Sequence, residues 1–254
     1  MAKTVFNRYE KKYIIPESIY AEFIRRLSEK MTQDKYGLHT ICNIYYDTPD
    51  YLLIRRSMEH HTYKEKLRLR SYGIPDKNSV VFLEIKKKYR RIVNKRRVSM
   101  TLSSAYKYTG EKHDIKQESG NLILDEINFF LNRYNLKKSM YIAYDRIAFF
   151  GNDDSDFRVT IDTNIRYRME NMELEKGDYG TKLLPDGYYL MECKFLGAAP
   201  LWFSQLLADM KLYTTSFSKY GNIYKKINGQ FDFEKMMTNY KNNWEKGACE
   251  QYVG

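Results

Sequence analysis

The strongest constraint in this sequence is alternation. Along short stretches, basic and apolar side chains take turns, and a period of two is the signature of a half-buried β-strand. The pattern predicts strands at Arg8–Ile14, His39–Tyr46, Tyr63–Tyr72, Val80–Lys87, Lys95–Thr101, Tyr141–Phe149, Phe157–Tyr167 and Tyr188–Phe195. Successive side chains of a strand point to opposite faces, so parity sorts them. Lys64, Lys66, Arg68 and Arg70 share a face opposite Leu67 and Leu69. Glu84, Lys86 and Lys88 oppose Leu83 and Ile85, and Lys95, Arg97 and Ser99 oppose Val98 and Met100. Arg8, Glu10 and Lys12 share a face, as do Arg158, Thr160 and Asp162, then Glu192 and Lys194. Tyr144 and Arg146 lie together in an otherwise apolar strand.

Any one of these faces, taken alone, reads as a solvated side of an antiparallel sheet. Solvated faces, however, usually mix both signs of charge. Here strand after strand presents Lys or Arg with few acids to offset them. If the faces converge, they line a cavity. The expected fold is therefore α+β: a closed antiparallel β-tunnel of about eight strands with helices packed on the outside.

The 254 residues, 43% of them hydrophobic, suffice for one core. Lys and Arg number 43 against 32 Asp and Glu, and the net charge of +11 calls for a negatively charged partner. No apolar run approaches the ~20 residues of a membrane span. The basic, alternating start has no signal-peptide core. Cys42, Cys193 and Cys249 are scattered and odd in number, which argues against a disulfide framework and for a reducing cytoplasm. His60 and His61 are adjacent but lack zinc-site spacing.

Helices are expected from Glu17 on, where Ile19, Phe23 and Leu27 recur, across Asn121–Asn135, and after Pro200. Tyr72–Pro75 and Pro185–Gly187 read as hairpin turns. The expected organisation is a tunnel domain over 1–228 and a peripheral helix or tail over 229–254. The sequence has no G-x-x-x-x-G-K-[ST], no G-x-G-x-x-G and no nucleophile–base arrangement. Chemistry must then come from positioned charges and a divalent ion.

Seven segments, in their order, carry a resemblance: Arg8–Tyr13, Leu67–Arg70, Phe82–Lys86, Tyr144–Arg146, Phe157–Asp162, Leu190–Phe195 and Ser216–Gly221. Together they resemble the VTC (vacuolar transporter chaperone) polyphosphate polymerase domain of the triphosphate tunnel metalloenzymes, from about Phe6 to Lys226. The resemblance implies a metal-dependent polymerase that transfers the γ-phosphate of ATP to a growing inorganic polyphosphate chain. It implies catalytic roles for Lys12, Arg68, Arg70, Arg146, Arg158 and Lys219, and substrate contacts from Arg8, Lys86, Lys95, Arg97, Tyr144, Lys194 and Ser218. Ser218 and Lys219 would come from a loop at the tunnel mouth. Glu192 would hold Mn2+ or Mg2+.

Related triphosphatases begin with an E-x-E-x-K strand, whereas Arg8 takes the first position here and leaves Glu10 alone. That departure leans toward the polymerase branch. The alternatives are an inorganic or nucleoside triphosphatase on the same fold and a non-catalytic polyanion binder. No nucleic acid partner is expected, because the aromatics mostly fall on apolar faces, and a membrane partner stays open. Glu10 and Glu84 are expected to pair with neighbouring Lys or Arg, and Lys64, Lys66 and Lys88 to sit in water at tunnel ends.

Overall fold

In the computed structural model, residues 8–59, 61–90, 92–110 and 120–238 are described. His60 and Cys249 lie outside them, as do the side chains of Arg8 and Ile92. The strands are β1 (Arg8–Pro16), β2 (Met31–Gln33), β3 (His39–Asp47), β4 (Tyr63–Tyr72), β5 (Val80–Tyr89), β6 (Ile92–Thr101), β7 (Lys137–Gly151), β8 (Arg158–Arg168), β9 (Thr181–Lys182) and β10 (Tyr188–Leu196). The helices are α1 (Glu17–Ser28), α2 (Leu52–Met58), α3 (Leu102–Gly110), α4 (Leu122–Tyr134), α5 (Leu201–Asp209) and α6 (Lys219–Ile227). All strands join one antiparallel sheet in the order β1-β10-β8-β7-β3-β4-β5-β6, with β2 added to β7 and β9 to β8.

The outer, apolar face carries two cores. Leu67, Leu69, Leu83 and Ile85 pack under Ala105 of α3 and Ile127 and Phe130 of α4. Tyr13, Val159, Ile161 and Met191 pack under Phe23 and Leu27 of α1 and Phe203 and Leu206 of α5. Each aliphatic side chain buried this way contributes about 1.5–3 kcal/mol. This burial fixes register, since a one-residue slip would drive the opposite, charged set into the helices.

A third core forms on the inner face at one end. Ile14, Met140, Ile142 and Leu190 meet Phe217, Tyr220 and Ile223 there. Beyond α6, helical residues 233–238 bring Phe233 against Tyr188, with ring centroids 4.7 Å apart.

Closure differs from the expectation. Among the described residues no ladder joins β1 to β6, so hydrogen bonds do not complete the ring. The sheet nevertheless curls: Lys86 on β5 interacts electrostatically with Glu10 and Lys12 of β1 and Glu192 of β10, from the far edge. Pro185–Gly187 is not a hairpin turn either. It feeds β10, whose partners are β1 and β8. Gly187, at φ +80°, lets its carbonyl accept from Glu17 N at 2.7 Å and so seats the start of α1.

Candidate functional site

The inner face gathers the alternating basic residues. Across β4, β5 and β6, Arg70 stands opposite Phe82, Arg68 opposite Glu84, and Lys66 opposite Lys86. Glu84 faces Arg97, and Lys86 faces Lys95, on the other side. Around the sheet, Lys12 pairs in register with Glu192, which pairs with Thr160, and Arg146 pairs with Asp162.

Three carboxylates, Glu84 and Asp162 buried and Glu192 half-buried, organise these cations. Glu84 accepts from Arg68 Nε at 2.6 Å, has Lys95 Nζ at 2.8 Å and lies 3.9 Å from Arg70. Burial alone would raise its carboxyl, yet Arg68, Arg70 and Lys95 bring it down to about 2. Asp162, fully buried, takes both arms of Arg146 at 2.5 and 2.8 Å and also Lys219 at 2.5 Å. Its carboxyl is held below the usual range by these two cations despite burial. Glu192 pairs with Lys194 and lies 3.7 Å from Lys12. Burial opposes its ionisation, but Lys194, Lys12 and Lys219 hold it well below the usual carboxylate range.

Other cations have no carboxylate within ion-pair distance among the described residues. Lys66 and Lys86 are half-buried in this state, and burial pushes both ammonium groups down, Lys66 to about 8. Lys66 is thus not the solvated end residue that was expected. Arg158 is exposed, with its guanidinium 5.3 Å from the Phe150 ring centre, and Arg97 stands 4.9 Å over Phe82. Arg8 opposes Leu196 in register.

Aromatics enter this face: Tyr144, as expected, and Tyr45 in addition. Tyr45 accepts from Arg68 at 3.2 Å, and Tyr144 accepts from Arg70 at 3.2 Å. Burial would raise the Tyr45 phenol, but Arg68, Lys66 and Arg70 bring it to about 8. Tyr144 is lowered in the same way by Arg70, Arg146 and Lys219. Tyr45 and Asp162 were missing from the expected site set. Parity already placed Asp162 beside Arg158, and the same parity along β3 aligns Tyr45 with Asn43, which accepts from Arg70 at 2.9 Å.

Ser218 and Lys219 open helix α6 rather than a loop. The Ser218 hydroxyl accepts from Gly221 N at 3.2 Å, an N-cap that leaves its own proton free to donate. Lys12 Nζ donates to the Phe217 carbonyl at 3.1 Å, and Tyr220 stacks on Tyr45 at 4.7 Å. These contacts dock the start of α6 into the inner face.

The VTC domain family model matches residues 7–228. This chain belongs to the VTC domain family. Subunit 4 of the vacuolar transporter chaperone complex of Trypanosoma cruzi (strain CL Brener) is 25% identical over 260 residues. The match covers 88% of this VTC-domain chain but 32% of that protein, so the chain spans about a third of its relative's length. A candidate adenylate cyclase from Bacillus halodurans has the same fold, with a TM-score of 0.50 at 13% identity over 84% of this chain and 95% of that one. A Hippeastrum adenylyl cyclase homologue described as having a dominant triphosphatase activity aligns with a TM-score of 0.49 and 14% identity, over 88% and 97% of the two chains.

No group of three His, Cys, Asp or Glu side chains able to hold a metal occurs among the described residues. Glu192 and Glu10 do lie on adjacent strands of the same face, and both reach Lys12, at 3.7 and 3.4 Å. One or two carboxylates completed by phosphate oxygens is the donor set that Mg2+ and Mn2+ take in phosphoryl-transfer sites. The residues present fit a metal that arrives with its phosphate. No helix among the described residues is long and apolar enough to cross a membrane.

Proposed function

We propose that this VTC domain is a metal-dependent polyphosphate polymerase, which transfers the γ-phosphoryl group of ATP to the end of a polyphosphate chain inside a basic tunnel. The observation that carries this reading is the surplus of inner-face cations left without carboxylates, Lys66, Lys86, Arg97 and Arg158, beside others fixed in place by Glu84 and Asp162. A protein does not desolvate ammonium groups without an anion to balance them.

Phosphoryl transfer asks for in-line geometry and neutralised equatorial oxygens more than for covalent help. Arg146 and Lys219, pinned by Asp162, and Arg68, pinned by Glu84, meet developing charge without reorganising. Lys66, Lys86 and Arg158 neutralise the incoming polyanion. Ser218, capped and with its proton free, donates to a terminal phosphate oxygen. Another oxygen of that terminal phosphate is the nucleophile: it forms a bond to the γ-phosphorus while the bond from the γ-phosphorus to the β–γ bridging oxygen breaks, and that oxygen leaves on ADP. No general base is needed for an already anionic attacker. Glu192, with Glu10 beside it, would hold a divalent ion, whose positive charge would help neutralise the phosphates.

Hydrolysis on the same scaffold is the second reading: the cations pinned by Asp162 and Glu84 would serve transfer to water equally well. Turnover of ATP with Mn2+ by the wild type and Glu192→Gln tests the assignment. The variant is expected to lose ADP formation while still folding, with a lowered melting temperature because Lys194 and Lys12 lose their carboxylate. Full activity in the variant would remove Glu192 as the metal ligand, and one orthophosphate released per ADP would favour the hydrolase.

A further inference from the structure

The inner face ends, where β3 begins and β4 finishes, in a run of rings. Tyr36 lies 6.3 Å from His39, His39 lies 6.1 Å from Tyr72, and Tyr72 lies 5.7 Å from Phe82. Arg97 covers the end of the run, 4.9 Å over Phe82. Tyr72 is 52% exposed and Tyr36 69%, so these rings are not core. The parity is that of the phosphate-binding cations. Tyr72 follows Arg68 and Arg70 on β4, Phe82 stands opposite Arg70, and His39 stands opposite Arg146.

We propose that this edge-to-face aromatic cluster of Tyr36, His39, Tyr72 and Phe82 forms a platform whose exposed Tyr72 ring stacks the nucleobase of the bound nucleoside triphosphate. The proposal rests on the tunnel reading above and extends it to the part of the substrate that carries no charge. Three features point to a base rather than to another apolar occupant. The platform continues, on the same face, the strand that carries Arg68 and Arg70. Tyr72 and Arg70 are two residues apart on that strand, about 7 Å, a gap that a ribose can bridge. The rings are bordered by Arg97 and Arg146, and an Arg beside exposed aromatics suits a flat heteroaromatic ring next to phosphate. Aromatic stacking accepts any base, because every base has a π-face, so the platform gives nucleotides an advantage over bare polyphosphate without strong selection among them.

The advantage has a use. Donor and acceptor in the proposed reaction are both polyphosphates, and the inner-face cations alone bind either one. A ring platform at one end of the cationic face favours the donor there.

The test compares two ligands on one protein: the imido (β,γ) analogue of ATP and inorganic tripolyphosphate, each titrated calorimetrically into the wild type, Tyr72→Ala, Tyr36→Ala and Tyr72→Phe. Tyr72→Ala is expected to weaken the nucleotide analogue by about tenfold, the order that loss of one base stack produces, and to leave tripolyphosphate unchanged. Tyr72→Phe is expected to retain wild-type affinity for both. A 2-aminopurine riboside triphosphate should lose fluorescence on binding the wild type and lose less on Tyr72→Ala. Equal nucleotide affinity in wild type, Tyr72→Ala and Tyr36→Ala would overturn the platform while tripolyphosphate binding upheld the site beneath it. Parallel loss of both ligands in Tyr72→Ala would also overturn it. Failure of the wild type to bind either ligand would overturn the tunnel reading itself.

Discussion

Replacing Lys66 with Gln should stabilise the protein and weaken its grip on polyphosphate at the same time. The Lys66 ammonium falls from 10.5 to about 8 because burial penalises its charge, with Lys86, Lys12 and Arg68 adding repulsion and Tyr45 opposing them. At 1.36 kcal/mol per unit, that depression corresponds to at most about 3 kcal/mol of stability sacrificed while the lysine stays charged. For a lysine with a lowered pKa, the sacrifice is complete below pH 8, where folded and unfolded chains both carry the proton. It disappears above 10.5, where neither does. Lys66→Gln should therefore gain stability at pH 7, on the order of 1–3 kcal/mol, or several degrees in melting temperature for a chain of this size. The gain should shrink as pH rises from 8 toward 10.5. Urea denaturation at pH 7 and pH 10, paired with tripolyphosphate calorimetry at pH 7, reads both effects. Loss of a charge-assisted contact should weaken tripolyphosphate by about tenfold or more. A variant no more stable than wild type at pH 7, with unchanged tripolyphosphate affinity, would refute the reasoning that this lysine is desolvated for an anion.

Glu84→Gln should have the opposite character, costing about 3–5 kcal/mol because Arg68 and Lys95 are left without their buried carboxylate. In the wild type, Glu84 is lowered to about 2, so its contribution is present above the ordinary carboxylate range and lost as pH falls toward 2; acid denaturation compared between the two proteins checks this. Arg158→Ala should weaken tripolyphosphate with little change in melting temperature, since Arg158 is exposed and holds no carboxylate. Asp162→Asn should loosen both Arg146 and Lys219, lowering turnover of ATP more than its affinity and increasing hydrogen exchange at the start of α6. Raising pH through 8 should weaken tripolyphosphate in the wild type, as Lys66 loses its proton and Tyr45 gains charge; Tyr45→Phe should flatten part of that fall.

The sheet was legible in the sequence because alternation is a local signal that survives folding. Tyr63–Tyr72 matches its strand at both ends, and Glu84 and Glu10 pair with basic neighbours as expected. Helices α2 and α6 were not legible. Helix α2 follows its N-cap residue Tyr51, at φ +59°, and its first amides are met from a distance by Asp47, which accepts from Leu53 N at 2.9 Å and Ile54 N at 3.0 Å. That cap exists only after β3 has ended beside it. Helix α6 carries Gly221 in its first turn, and Tyr220, bonded to Asp47 at 2.8 Å, ties it to the sheet. Neither contact has a periodicity to read. Tyr45 escaped notice for a related reason: its face of β3 carries Ile41, Asn43 and Asp47 but no Lys or Arg, so nothing marked the tyrosine until Arg68 and Arg70 stood beside it.

Phosphorus NMR of the purified protein with ATP and Mn2+ tests the central claim most directly, because it follows the γ-phosphate to its destination. A growing signal from internal phosphates, each held by two phosphoanhydride links and matched by ADP, is the expected result. ADP accompanied only by orthophosphate would contradict polymerisation and make this VTC domain a triphosphatase, and unchanged ATP would contradict catalysis altogether.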